Sequence, residues 1–289
     1  MAVRTPSLRV LRHESEHDRW ELVIGEPHPG LRRHVARYCG YEEVTRSFAR
    51  RLEPPGVRVP LIVNLGPSLA VRTAGDGAWH DHEHGFVAGL HDTYAVTDSG
   101  GKQAGVQVDL TPVGARLTLG LPMRDVSGRV VPLQGAFGAA GLRLRDRLLE
   151  APGWERRFAI MDAFLLERID GGAPPPASLA RALERLHASR GAVDIGALTA
   201  ELGCSRRHLI ALFNEHVGVP PKRFARILRF ERTLELARSR AGGGWAEIAQ
   251  TCGYYDQAHM IRDFRQFTGH SPSGYERLTQ PAGARMTGD

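Results

Sequence analysis

Three cysteines in 289 residues, Cys39, Cys204 and Cys252, are too few and too scattered for a disulfide scaffold. With no CxxC pair and no zinc-finger spacing, free thiols are expected. Long apolar runs are missing as well. The opening stretch MAVRTPSLRVLRHESEHDRW holds nothing like a signal peptide, and no later stretch approaches the length of a membrane span, so a cytoplasmic location is expected. Lysine is nearly absent, two residues against 36 arginines. The rigid donor fork of arginine suits phosphates and guanine edges, although coding bias produces the same imbalance. GxSxG, P-loop and properly placed GxGxxG patterns are also lacking, which leaves no catalytic signature of those kinds and no cofactor to expect. At 42% hydrophobic the chain can still bury a core, and its length allows two domains.

What is present is a repeat. Moving HLIALFNEHVGVPPKRF forward by 51 positions sets His208 on His259, Leu209 on Met260, Ile210 on Ile261, Phe213 on Phe264, Gly218 on Gly269, Pro221 on Pro272 and Phe224 on Tyr275. Two copies describe a duplicated small module, not a solenoid, which needs three or more units to close its core. Charge follows the repeat. Residues 178–289 hold 16 Lys+Arg against 11 Asp+Glu, whereas residues 1–177 hold 22 against 21. A polyanion-binding module requires such an excess; a solvated basic surface also displays it.

The clearest break is GGAPPPA, 171–177, whose glycine pair and consecutive prolines suit neither helix nor strand. Upstream, short alternating or apolar runs at 20–25, 59–66, 68–73, 85–90, 93–97 and 103–110 predict a small antiparallel sheet, sandwich or barrel. A short helix is expected over 112–120, with Pro112 at its first position. From 141 the period becomes helical, and Trp154, Phe158, Phe164, Leu165 and Ile169 mark a helix that either packs on the sheet or forms a dimer seam. Beyond the linker, helices are expected at 178–190, 195–202, 205–217, 221–240, 245–252, 256–268 and 272–278. The fold class is therefore α+β: a mainly antiparallel β region with a helical hairpin over 1–170, a linker at 171–177, an all-α region over 178–280, and a disordered tail at 281–289.

Each copy of the repeat is punctuated in the same way. A short helix runs into Gly203 or Gly253, which can take positive φ; Ser205 or Asp256 then caps the next helix. That helix stops at Gly218 or Gly269, and Pro221 or Pro272 starts another. Two helices across a tight glycine turn make a helix-turn-helix, whose second helix enters the DNA major groove. Helical spacing turns Leu209, Leu212 and Phe213 inward, and Arg206, Arg207, Ile210 and Asn214 outward. In the second copy Met260, Phe264 and Phe267 point inward, and Gln257, Ala258, Ile261, Arg262 and Arg265 outward. Arginine, glutamine and isoleucine can bind guanine, adenine and the thymine methyl; an ordinary polar helix face is the plainer reading. His208 and His259 are expected to pack or to touch phosphate. A connector helix over 221–240 would be about 30 Å long, close to the roughly 34 Å between successive major-groove faces.

The stretches RRHLIALFNEHVGVPPKRF, LRFERTLELAR and EIAQTCGYYDQAHMIRDFRQFTGHSPSGYE resemble the DNA-binding domain of the AraC/XylS family of bacterial transcription regulators. The resemblance covers about a third of the chain, residues 178–280. It implies two recognition helices in adjacent major grooves, with base readout by Arg206, Arg207 and Ile210, then by Gln257, Ala258, Ile261 and Arg262. Phosphate contacts would fall to Ser205, Asn214, Arg223, Arg226 and Arg265. Residues 1–170, through FVAGLHD and GVQVDLTPVGARLTLGLPMRDVSGRVVPL, resemble the sensor-position domain of such regulators. That implies a small-molecule effector, a homodimer, an encounter with RNA polymerase, and activation or repression as the output. A DNA-repair methyltransferase fused to such a module would need clustered cysteines, which are lacking.

One cluster offers a different chemistry. In HDHEHGFVAGLHD, residues 80–92, a strand would put His80, His82 and His84 on one face, with His91 and Asp92 across a hairpin. Imidazole and carboxylate suit zinc or iron, and a cupin-like fold would then make a metal-binding enzyme or metallosensor conceivable. An exposed polar loop is the alternative.

Overall fold

The structure, a computed structural model, describes residues 8–46, 49–239 and 244–279. The expected tail at 281–289 lies outside the described residues. The N-terminal half carries eleven described strands: β1 (Leu8–Glu14), β2 (Asp18–Gly25), β3 (Val35–Thr45), β4 (Arg50–Glu53), β5 (Val59–Asn64), β6 (Leu69–Thr73), β7 (His80–His82), β8 (Gly85–Ala88), β9 (Ala95–Asp98), β10 (Lys102–Leu110) and β11 (Val130–Pro132). They form a seven-stranded sheet in the order β1-β2-β3-β10-β5-β8-β11 and a four-stranded sheet in the order β4-β9-β6-β7. Every described pairing is antiparallel. The two sheets do not close into a single barrel.

Directly paired residues of antiparallel strands point to the same side, so register assigns the faces. On β3 and β10, Glu43 faces Gln103, Cys39 faces Gln107 and Arg37 faces Asp109. This row is polar and internally bonded: Arg51 holds both oxygens of Glu43, Gln103 donates to Glu43 at 2.9 Å, and Asp109 accepts from Arg37 and Gln107, each at 2.7 Å. Nearby, Leu69, Val71, Phe86, Ala88 and Ala95 form a separate apolar cluster.

The opposite face of the large sheet is covered by helices. Here lie α1 (Pro112–Leu119), α2 (Leu133–Phe137), α3 (Ala139–Glu150) and α4 (Trp154–Ile169). α1 begins as its sequence predicts: the Thr111 hydroxyl caps the Gly114 N–H at 3.0 Å and Pro112 occupies the first position. α4 lies on β2 and β3. Phe158 stacks on Tyr38 at 5.4 Å, and the Tyr38 hydroxyl donates to Asp162 at 2.7 Å. A Cβ at Gly40 would sit 2.3 Å from the Trp154 ring, so this close approach requires glycine. The helical hairpin thus packs on the sheet.

After a helix-free stretch come α5 (Ala177–Ala188), α6 (Ile195–Glu201), α7 (Arg206–His216), α8 (Pro221–Ser239), α9 (Trp245–Thr251), α10 (Gln257–Thr268) and α11 (Pro272–Thr279). The main core does not stop at the linker. It runs from Val23, Tyr38 and Val108 through Phe158 to Leu209, Phe213, Phe230 and Phe264. A smaller cluster of Leu236, Ile248, Cys252, Tyr254 and Met260 lies beneath the second copy of the repeat.

Burial has a consequence for acid sensitivity. Desolvation lowers the imidazole pKa of His34, His82, His91, His187 and His216. In the unfolded chain these groups titrate near about 6.5. Their contribution is therefore complete above that pH and is lost as the pH falls, because the unfolded state takes up protons that the folded state resists. The Glu231 carboxyl, raised by burial, acts in the opposite sense and costs stability as pH rises. The histidine share is isolated at His82, which is 5% exposed with neither ring nitrogen bonded. Melting curves between pH 7.5 and 5.5 should show a shallower loss in His82→Leu than in the unaltered chain; parallel curves would refute the assignment.

Candidate nucleic-acid interface

α6–α7 and α9–α10 are the two copies of the repeat, and each is assembled from local signals. Gly203 (φ 62°) and Gly253 (φ 73°) are left-handed in the inter-helix turns. Ser205 accepts from the His208 N–H at 3.1 Å and Asp256 from the His259 N–H at 2.6 Å, which caps α7 and α10. Gly218 (φ 92°) and Gly269 (φ 75°) follow the second helices, and Pro221 and Pro272 open α8 and α11. At 19 residues, α8 spans about 28 Å.

The inward stripes are buried as helical spacing demands. Leu209 and Phe213 sit inside the first unit, with Leu212 half-buried; Met260, Phe264 and Phe267 sit inside the second. Phe264 meets Phe230, Trp245 and Tyr275 at ring distances of 5.2, 5.8 and 5.6 Å.

Of the residues assigned to base readout, Arg206, Arg207, Gln257, Ala258 and Arg262 are exposed, while Ile210 and Ile261 are half-buried. The structure puts them on the N-terminal halves of the two second helices. Arg206, Arg207, Arg262 and Arg265 form no ion pair with any described residue. Their charge remains available to a polyanion. His208 is exposed; His259 lies edge-on to Tyr254 at 5.3 Å.

The residues assigned to phosphate are more divided. Arg265 is exposed, Asn214 is half-buried, and the Ser205 hydroxyl is occupied as a cap. Arg223 pairs with Asp92 at 3.1 Å. Arg226 is half-buried on α8 and turned toward α10. Its guanidinium bonds Asp263 and Gln266, each at 2.7 Å, and lies 5.2 Å from the Phe267 ring centroid. The reason is Asp263, which is 3% exposed and needs a counter-charge inside the module. One sequence signal marked it: an acid at 263 interrupts the apolar stripe of Met260, Phe264 and Phe267.

Sequence patterns did not reveal the ties between the two halves of the chain. Glu215, in the last turn of α7, accepts from Arg116 of α1 at 3.1 Å and is also held by Arg124. Partial burial alone would raise the Glu215 carboxyl, but these two guanidiniums prevail and hold it below its usual range. Gln266 of α10 donates to the Asp92 carboxylate at 3.3 Å, so Asp92 touches both the connector and the second unit. Glu231 of α8 accepts from the Val57 N–H at 2.8 Å. All these ties lie away from the N-terminal halves of α7 and α10, and the outward stripes of both helices stay open.

The histidine cluster is not gathered. His80 bonds Asp76 on the surface, His82 packs on Phe86 at 4.9 Å, and His91 bonds the Gly89 carbonyl at 3.1 Å. His84 lies 3.8 Å from its neighbour Glu83. Among the described residues no three histidines, cysteines or carboxylates are placed to share a metal ion.

The family described as "Helix-turn-helix domain" matches residues 198–278. The HTH-type transcriptional regulator GbdR of Pseudomonas aeruginosa is 30% identical over 91 residues, covering 32% of this chain and 24% of that protein. An uncharacterized HTH-type transcriptional regulator of Escherichia coli K12, YidL, is 27% identical over 107 residues, covering 37% of this chain and 36% of that one. The match thus spans about a quarter to a third of these relatives' own length. Among solved structures, ToxT of Vibrio cholerae O395 aligns with a TM-score of 0.45 at 11% identity, covering 81% of this chain and 95% of that one. The AraC-like transcriptional activator CuxR aligns with a TM-score of 0.34 at 14% identity, over 84% and 91%. Residues 198–278 of this chain match the helix-turn-helix domain family, and in the structure they form two copies of one unit joined by α8.

Proposed function

We propose that this chain is a sequence-specific, DNA-binding transcription regulator that places α7 and α10 in adjacent major grooves. The observation that carries this reading is the duplicated stripe. Both capped helices expose arginines at their N-terminal halves, where recognition helices touch base edges, and those arginines are unpaired among the described residues. Arg206, Arg207 and Ile210 read bases from α7; Gln257, Ala258, Ile261 and Arg262 read them from α10. Arg265 meets phosphate with help from Ser205 and Asn214, while Arg223 and Arg226 reach it only by leaving Asp92 and Asp263. Residues 178–280 are the DNA-binding part and residues 1–170 the sensing and dimerising part.

A small-molecule effector held between the two sheets is supported by the polar row of Arg37, Glu43, Gln103, Gln107 and Asp109, which turns hydrogen-bonding groups away from the main core. The protein works in the cytoplasm as a homodimer without a catalytic step, and acts on transcription through RNA polymerase. No described helix is long and apolar enough to cross a membrane.

The decisive experiment is selection of bound sequences from random DNA with the full chain. Two short blocks about one helical turn apart, roughly 10–10.5 base pairs, are expected, with affinity falling steeply as salt rises. A homodimer doubles that pattern. Failure to enrich any sequence would overturn the proposal.

A further inference from the structure

Tyr255 is 93% exposed, more than any other large apolar side chain among the described residues. Its neighbour Tyr254 is buried, with Arg229 5.5 Å from its ring centroid. Tyr255 precedes the cap Asp256, the position from which an apolar side chain commonly folds back onto the fourth helical residue, here Met260. Its exposure shows that no such staple forms, so the local structure gives this ring no packing role. In the first unit the corresponding residue is Cys204, half-buried and a poor donor. The second unit therefore carries a neutral hydrogen-bond donor at the entrance to its reading helix that the first lacks. The cations Arg262 and Arg265 lie on the same helix.

Resting on the DNA-binding reading above, we propose that Tyr255 donates its phenolic hydroxyl to a backbone phosphate at the lip of the groove entered by α10. Tyrosine hydroxyls are among the groups that position proteins on the duplex without reading sequence. Being uncharged, this contact displaces no counterion, and that separates it from every arginine contact.

The test compares full-length protein, Tyr255→Phe and Arg262→Ala by fluorescence anisotropy. The probes are a duplex recovered from the random-sequence selection and a scrambled duplex of equal length, titrated across salt concentrations. Tyr255→Phe should weaken both duplexes by the same factor, about 3- to 10-fold, with an unchanged slope of log affinity against log salt. Arg262→Ala should reduce the preference for the selected duplex. The substitution keeps the exposed ring, so an unaltered melting temperature confirms that the fold survives. Wild-type affinity in Tyr255→Phe, or a loss confined to the selected duplex, would overturn the proposal. If the unaltered chain binds neither duplex, it is the DNA-binding reading itself that fails, and the Tyr255 contact falls with it.

Discussion

Phe264→Ala is expected to destabilise the protein by about 3–5 kcal/mol and to abolish specific DNA binding, although residue 264 faces away from the reading stripe. Its ring is 1% exposed and meets α8, α9 and α11 through Phe230, Trp245 and Tyr275. Truncation removes a buried ring and leaves a cavity at the junction of three helices, which close packing cannot refill. α10 then loses the surface that sets its angle, and Gln257, Ala258, Ile261 and Arg262 no longer face one groove together. Phe264→Leu, which keeps most of the volume, should cost less than about 1.5 kcal/mol and retain binding. Denaturant unfolding of both variants, alongside binding to the selected duplex, checks the pair. A loss below about 1 kcal/mol for the alanine variant would mean that the site collapses and that the seating of α10 has another origin.

The second large effect concerns the exposed arginines. Arg207→Ala and Arg262→Ala should each weaken binding to the selected duplex by about 1–3 kcal/mol, some 5- to 150-fold, and relax preference at one position of the site. Both side chains are exposed and unpaired among the described residues, so their removal leaves no buried group stranded and no stability change is expected. Repeating the random-sequence selection with each variant reads the effect directly. Equal losses on selected and scrambled DNA would reassign that arginine to phosphate.

Arg226 marks the boundary between what helical spacing can show and what it cannot. The sequence assigns it to phosphate, and in the structure it pairs with Asp263 on α10, 37 residues away. Arg223 is tied to Asp92 across a far longer separation. Sequence periodicity reports which side of its own helix a residue occupies; it says nothing about the partner waiting there. The long strand β3 escaped notice for a related reason. VARYCGYEEVT carries two acids and a glycine that interrupt its apolar pattern, and it becomes a strand where Glu43 meets Arg51 and Gln103, and Gly40 lies under Trp154. β1, β4 and β11 were likewise unmarked, being short or polar.

By itself, the sequence determined the two helix-turn-helix units almost completely. Caps, left-handed glycines, proline restarts and apolar stripes act within a few residues of each other, and a constant offset of 51 wrote them twice. The helical nature of the C-terminal region and the identity of its outward residues follow from those short-range interactions. Tertiary structure alone decided that the core continues across the linker, that Asp92 and Glu215 tie the N-terminal half to both units, and that, among the described residues, the four suggestive histidines are not placed to share a metal ion. These outcomes depend on side chains brought together from distant parts of the chain, where packing and the cost of an unpaired buried charge prevail over local pattern.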